Sequence, residues 1–191
     1  MPTQLSLFNI EKETTNTSKE YFFIISFNES IKQDIKLLKK NLFDIINNET
    51  SHNIYNRNSI AHISIQKIFV KEDSDNRIVE WADKSIGKFS CFSVKINGID
   101  IFTHGQSSKT IFYKIENHQP ILDINGLFPF QNKFTPHLTL ARSLTLDDFN
   151  KISDKLSSFD YRKEFLCDRI TILVRTSGKY SVLHEVVLKP I

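Results

Sequence analysis

The chain has 191 residues, 40% hydrophobic, with 16 Phe and only five Gly and five Pro, a globular composition large enough for one sizeable core or two small lobes sharing one. Its 25 basic and 22 acidic residues leave a net charge of only +3, which excludes a polycation and reduces any nucleic-acid contact to a local groove. Cys91 and Cys167 lie far apart with no CxxC, which excludes a disulfide framework and a cysteine zinc site and points to reduced, buried thiols.

The N-terminus lacks a basic region followed by an apolar core, so no signal peptide is expected. Glu11 to Glu20 is polar, and residues 1–20 read as a flexible leader ahead of a single domain, 21–191. Tyr21 to Phe27 is aromatic and β-branched enough for a strand buried on both faces. Its aliphatic-aromatic run, Tyr21 to Ile25, is too short to cross a bilayer, so a soluble, cytoplasmic protein with no membrane partner is expected. Ser30 opens a helix with Ile31, Ile35, Leu38, Leu42, Ile45 and Ile46 at helical spacing. Asn47 to Asn58 is turn-rich, and Asp73 to Phe89 predicts a second helix with Ile78, Trp81, Ala82 and Ile86 inward.

Phe92, Val94 and Ile96 alternate up to Asn97-Gly98, a type I′ hairpin signal, with Ile99 to Phe102 as the return strand. Lys109 to Ile115 predicts another strand, and Pro120 to Leu127 a short helix ended by Gly126. A helix over Thr145 to Phe159 is expected, with Thr145 as N-cap and Asp148 in its first turn. Ile170 to Arg175 and Ser181 to Leu188 close as strands. The order strand, helix, strand in the first half recurs in the second, from Lys109 through Pro120. That suggests an internal duplication with two lobes about an approximate two-fold and a cleft between them.

The last strand of each half carries the chemistry. Ala61-His62-Ile63-Ser64-Ile65 and Pro136-His137-Leu138-Thr139-Leu140 both read His, apolar, hydroxyl, apolar. Side chains alternate along a strand, so His62 and Ser64 share one face, as do His137 and Thr139. His52, His104, His118 and His184 do not match the pattern. A single such histidine is usually an ordinary half-buried strand residue; a matched pair is not. Brought face to face across a cleft, two imidazoles and two hydroxyls make a metal-free site for phosphoryl chemistry. Arg142 and Lys67 are candidate phosphate ligands just past each motif. Phe134 and Tyr113 are candidate base-stacking rings. Lys109 and Arg175 are expected to be solvated charges.

These two motifs resemble those of the 2H phosphoesterase superfamily and its 2′–5′ RNA ligase-like (LigT) branch. Thr135-Pro136-His137-Leu138-Thr139-Leu140-Ala141-Arg142 is similar to that family's second motif in full; the first has Ser64 where Thr is common. The likeness runs from about Tyr21 to Lys189. It implies a bilobal α+β fold with antiparallel sheets and outer helices around a central cleft. It also implies hydrolysis of, or reversible ligation through, a 2′,3′-cyclic phosphate on an RNA end or small nucleotide. In that reaction His62 and His137 act as acid and base, Ser64 and Thr139 bind phosphate, and no metal or cofactor takes part; monomer is the default state.

Two other readings stand beside it: a non-catalytic RNA- or nucleotide-binding module, and an adaptor in DNA replication or repair. The second rests on Gln4-Leu5-Ser6-Leu7-Phe8, which resembles the bacterial sliding-clamp-binding peptide, with Leu7 and Phe8 as apolar anchors and Gln4 at the pocket edge. A zinc hydrolase fits poorly, because the His motifs lack carboxylate or Cys companions at ligand spacing.

Overall fold

A computed structural model describes residues 10–11, 18–47, 59–70, 74–105, 107–129 and 134–191. In chain order the elements are β1 (Ile10–Glu11), β2 (Lys19–Ser26), α1 (Glu29–Asn47), β3 (His62–Val70), α2 (Asp75–Ser85), β4 (Phe92–His104) and β5 (Ser108–Ile115). Then come α3 (Gln119–Asn125), β6 (His137–Thr145), α4 (Leu146–Ser153), a 3-10 turn (Leu156–Phe159), β7 (Arg162–Cys167), β8 (Arg169–Thr176) and β9 (Lys179–Val187). The strands form one antiparallel, open sheet in the order β7-β4-β5-β6-β3-β2-β8-β9, with β1 on the far end of β3, Ile10 opposite Val70.

The sheet is two lobes sewn together at one seam. β2, β3, β8 and β9 make one lobe; β4, β5, β6 and β7 make the other; they join where β3 pairs β6, Ile63 opposite Leu138. The fold is therefore the expected α+β, bilobal architecture. The two motifs, however, stand side by side in one sheet, not facing each other across a gap. The connecting helices are exchanged: α1, which follows β2, packs on β6 and α4, and α3, which follows β5, packs on β3. Each histidine strand thus rests on a helix from the other half. Under the first lobe Phe23, Trp81 and Phe128 interlock edge to face, with centroids 4.8, 5.3 and 6.0 Å apart. Tyr161 donates to Asp34 at 2.8 Å and ties α1 to the second lobe.

Local signals set most element ends. Asn28 Oδ1 accepts from Ile31 N at 3.0 Å and caps α1. Thr145 caps α4 reciprocally, accepting from Asp148 N at 3.1 Å and donating to Asp148 Oδ2 at 2.9 Å. Three expectations are corrected. Asn97-Gly98 is not a hairpin: β4 runs straight through it, and Gly98, with φ of +70°, sits at a register shift between Ile96 and Ile99. The positive φ favours glycine there; a Cβ would meet only the end of the Asp160 side chain, Oδ1 at 2.9 Å, which can move aside. The chain reverses instead at Gly105, with φ of +58°, between β4 and β5. Arg162–Cys167, passed over in the sequence, pairs with β4 as an edge strand. The leader is shorter than residues 1–20: β1 pairs with β3, and Lys19 and Glu20 belong to β2, Glu20 buried. No helix among the described residues is long and apolar enough to cross a membrane.

Candidate active site

His62 opens β3 and His137 opens β6. Ile63 and Leu138, the second residue of each motif, are paired and buried beneath the sheet. Continuing that antiparallel register one residue each way sets His62 beside Thr139 and Ser64 beside His137. A local two-fold axis thus passes between Ile63 and Leu138 and exchanges the motifs. All four polar side chains share the face away from Ile63 and Leu138. The two histidines are diagonal neighbours, their Cβ atoms roughly 7 Å apart for such a pair, close enough for both rings to reach one phosphate.

The rings are oriented alike. His62 Nδ1 meets the Ile60 carbonyl at 2.8 Å, and His137 Nδ1 meets the Thr135 carbonyl at 2.7 Å. A carbonyl only accepts, so each Nδ1 carries the proton and each Nε2 is left for chemistry. Phe22 stands edge-on to His62 at 5.4 Å. Phe102 and Phe112, stacked at 3.9 Å, wall His137 at 5.1 and 5.3 Å. Burial lowers the pKa of both rings, partly opposed by the carbonyl bonds, and positive charge lowers it further. For His62 that charge comes from Lys39, Lys67 and His137, and for His137 from Arg142.

A bulge follows each hydroxyl. Ile24 of β2 pairs Ser64, yet the next residue back, Phe23, pairs Gln66, leaving Ile65 as an extra residue. Phe112 of β5 pairs Thr139 while Ile111 pairs Ala141, leaving Leu140 extra. Strict alternation would send the residue five after each histidine to the opposite face; one inserted residue returns it. Lys67 and Arg142 therefore rise on the histidine face. The extra residue in β3 has a support: Asn125 at the end of α3, itself buried, donates to the Ile65 carbonyl at 2.8 Å.

The two cations differ in setting. Lys67 donates to Tyr180 Oη at 2.9 Å, meets Glu20 at 2.9 Å and lies 4.8 Å over the Phe22 ring. Burial opposes its charge, but the Tyr180 and Glu20 bonds outweigh it and raise its pKa. Glu20 also takes Arg175 at 3.2 Å and the Tyr180 hydroxyl, so Arg175, exposed as expected, is tied into this network. Arg142 is exposed on β6. Of the aromatic candidates, Tyr113 is corrected: it pairs Leu138 on the core face, fully buried, and donates to the Phe159 carbonyl at 2.9 Å, so it cannot stack a base. Phe134 packs against the core. Lys109 lies 5.2 Å over the Phe149 ring and donates to Thr103 at 3.1 Å. Gln4, Leu5, Leu7 and Phe8 fall outside the described residues. Among the described residues no three His, Cys, Asp or Glu side chains converge as metal ligands. Phe22, Phe102, Phe112, Lys39, Glu20, Tyr180 and Asn125 went unread in the sequence, because nothing local separates them from core aromatics or solvated charges.

Proteins of known sequence or structure are similar to this chain. A protein of Oceanobacillus iheyensis named as a phosphoesterase is 27% identical over 132 residues, 65% of this chain and 76% of its own. One of Halalkalibacterium halodurans, similarly named, is 24% identical over the same shares. A Thermus thermophilus structure superposes with a TM-score of 0.60 at 14% identity, over 90% of this chain and 98% of that one. Escherichia coli LigT gives 0.56 at 13% over 90% and 99%, and Kluyveromyces marxianus Usb1 gives 0.52 at 12% over 87% and 97%. The sequence model of the 2′-5′ RNA ligase superfamily matches residues 29–179, both motifs included. The chain belongs to the 2′-5′ RNA ligase superfamily.

Proposed function

We propose that the protein is a phosphodiesterase that opens 2′,3′-cyclic phosphates at RNA ends or on small nucleotides by two-histidine acid/base catalysis. The observation that carries this is the antiparallel pairing of Ile63 with Leu138, which sets both histidines and both hydroxyls on one face about a local two-fold axis. One neutral histidine takes a proton from the attacking water as its oxygen bonds to phosphorus. The other, protonated, gives its Nε2 proton to the ribose oxygen as that P–O bond breaks. Ser64 and Thr139 donate to the non-bridging oxygens, where charge accumulates, and Lys67 and Arg142 add positive potential on the same face. No metal or cofactor is needed for these steps. With a 5′-hydroxyl in place of water as the nucleophile, the same ring opening forms a P–O5′ bond, breaks one ring P–O bond and joins two ends.

The neighbours' ligands support a nucleotide on this face: LigT structures hold ATP, NADP+ or 3′-AMP, and a Usb1 structure holds uridine monophosphate. In this reading His62, near Lys39 and Lys67, serves as the neutral base, and His137, near Arg142, as the acid. The test is turnover of a short RNA ending in a 2′,3′-cyclic phosphate, with EDTA present, by wild type, His62→Ala and His137→Ala. Turnover by wild type, reduced roughly 10²- to 10⁴-fold in each variant, is expected. Full activity in either variant, or none in the wild type, overturns the reading.

A further inference from the structure

Beside the chain that leads into His62 lies a cavity of about 880 Å³, walled by α1 and Ser59–Ala61, for which two-histidine chemistry gives no role. Its lining is strongly basic: Lys32, Lys36 and Lys40 follow one another at helical spacing, with Lys39 next to them. Among the described lining residues the one carboxylate, Glu29, is engaged with Lys32 at 2.8 Å.

Lys39 is the unusual member. It is only 3% exposed, and its ammonium donates to Ser59 O at 3.0 Å and Ser59 Oγ at 2.9 Å. Those are two of its three N–H groups, and among the described residues no carboxylate stands within ion-pair distance of it. A buried ammonium without a counter-charge is unfavourable, and burial alone brings its pKa down to about 8. Such a charge on a cavity wall is suited to an incoming anion. Leu37 and Ile60, 58% and 71% exposed, put apolar surface on the same lining, as the ribose and base of a bound nucleotide require. The cavity is coupled to the catalytic pair by backbone: Ser59 holds Lys39, and the next residue, Ile60, holds His62 Nδ1.

We propose that this cavity is an anion subsite for the strand phosphate next to the reacting one. The substrate is then an oligoribonucleotide end, not a free mononucleotide, a statement that rests on the phosphodiesterase reading above. A mononucleotide would leave the cavity empty, whereas a strand entering it would neutralise Lys39 and gain the helical lysines.

The test is equilibrium binding of a 5′-fluorescein-labelled triuridylate with a 3′-phosphate, and of uridine 3′-monophosphate as competitor, to wild type, Lys39→Met and Lys36→Gln/Lys40→Gln. The double variant changes only exposed side chains and keeps the test valid if Lys39→Met fails to fold. The trinucleotide is expected to weaken about tenfold, with the slope of log K against log salt shallower by roughly 0.7 for each phosphate no longer neutralised. Its advantage over the mononucleotide falls accordingly. An unchanged ratio of the two affinities in both variants overturns the proposal. Cyclic-phosphate turnover by the wild type with an unchanged ratio removes the subsite and keeps the enzyme. No turnover with lysine-dependent trinucleotide binding removes the enzyme and keeps the subsite.

Discussion

The two halves of the site share a skeleton and differ in dressing. Each strand opens with a histidine held by the carbonyl two residues earlier, places a hydroxyl two residues on, bulges, and raises a cation five residues on. Around that skeleton the halves diverge. In the first, Lys67 is bound into a Glu20–Tyr180–Arg175 network, Phe22 backs the histidine and Lys39 lies behind it. In the second, two stacked phenylalanines wall the histidine and the cation is exposed. The backbone geometry of the two motifs is duplicated; the charges around their histidines are not. Under the proposed mechanism, such a scaffold would become directional through what surrounds two like side chains.

The hardest blow to this comparison is removal of a histidine. His62→Ala and His137→Ala are each expected to lower kcat/KM on a cyclic-phosphate RNA end roughly 10²- to 10⁴-fold, and one silent variant would end the equivalence of the halves. Ser64→Ala and Thr139→Val should each cost roughly 10²-fold in kcat, measured under saturating substrate. A loss confined to one of them would mean that phosphate sits on one motif alone. Asn125→Ala leaves the Ile65 carbonyl unmatched in a buried setting, for a stability loss of about 1–3 kcal/mol in urea unfolding. Because Asn125 supports only the β3 bulge, its variant should disturb Lys67 and spare Arg142. An undiminished unfolding midpoint would show that the bulge holds itself.

The pH profile separates the roles more gently. Burial and positive charge hold both imidazoles below their usual pKa, so removing a cation must raise the neighbouring one. With His62 as base, Lys39→Met moves the acid limb of kcat/KM to higher pH. With His137 as acid, Arg142→Gln moves the alkaline limb to higher pH. The first narrows the bell and the second widens it; the opposite pair of shifts exchanges acid and base. Smallest of all, Tyr113→Phe should lose about 1 kcal/mol through its hydrogen bond to Phe159 and leave turnover unchanged. A raised KM there would put that ring back among the substrate contacts.

Much of this molecule was legible in its residues alone. The alternation around His62 and His137 identified the strands, their shared polar face and the duplication, because period-2 patterning is a property of a few adjacent residues. The extent of α1 and the start of α4 were equally local, set by a six-residue apolar spacing and by the Thr145–Asp148 cap. But α4 ends at Ser153 and not at Phe159 as expected, with Leu156–Phe159 a separate 3-10 turn. Three features were not local. Asn97-Gly98 suits a tight turn or a glycine bulge equally, and only pairing of β4 with both β5 and β7 decides between them. Tyr113 stands one residue from Phe112, and which of the two faces the histidines depends on the register of β5 against β6. Lys67 and Arg142, five residues past their histidines, belong by simple alternation to the wrong face. The bulges that bring them round exist only because partner strands and Asn125 accommodate an extra residue, a long-range pairing that no window of sequence contains.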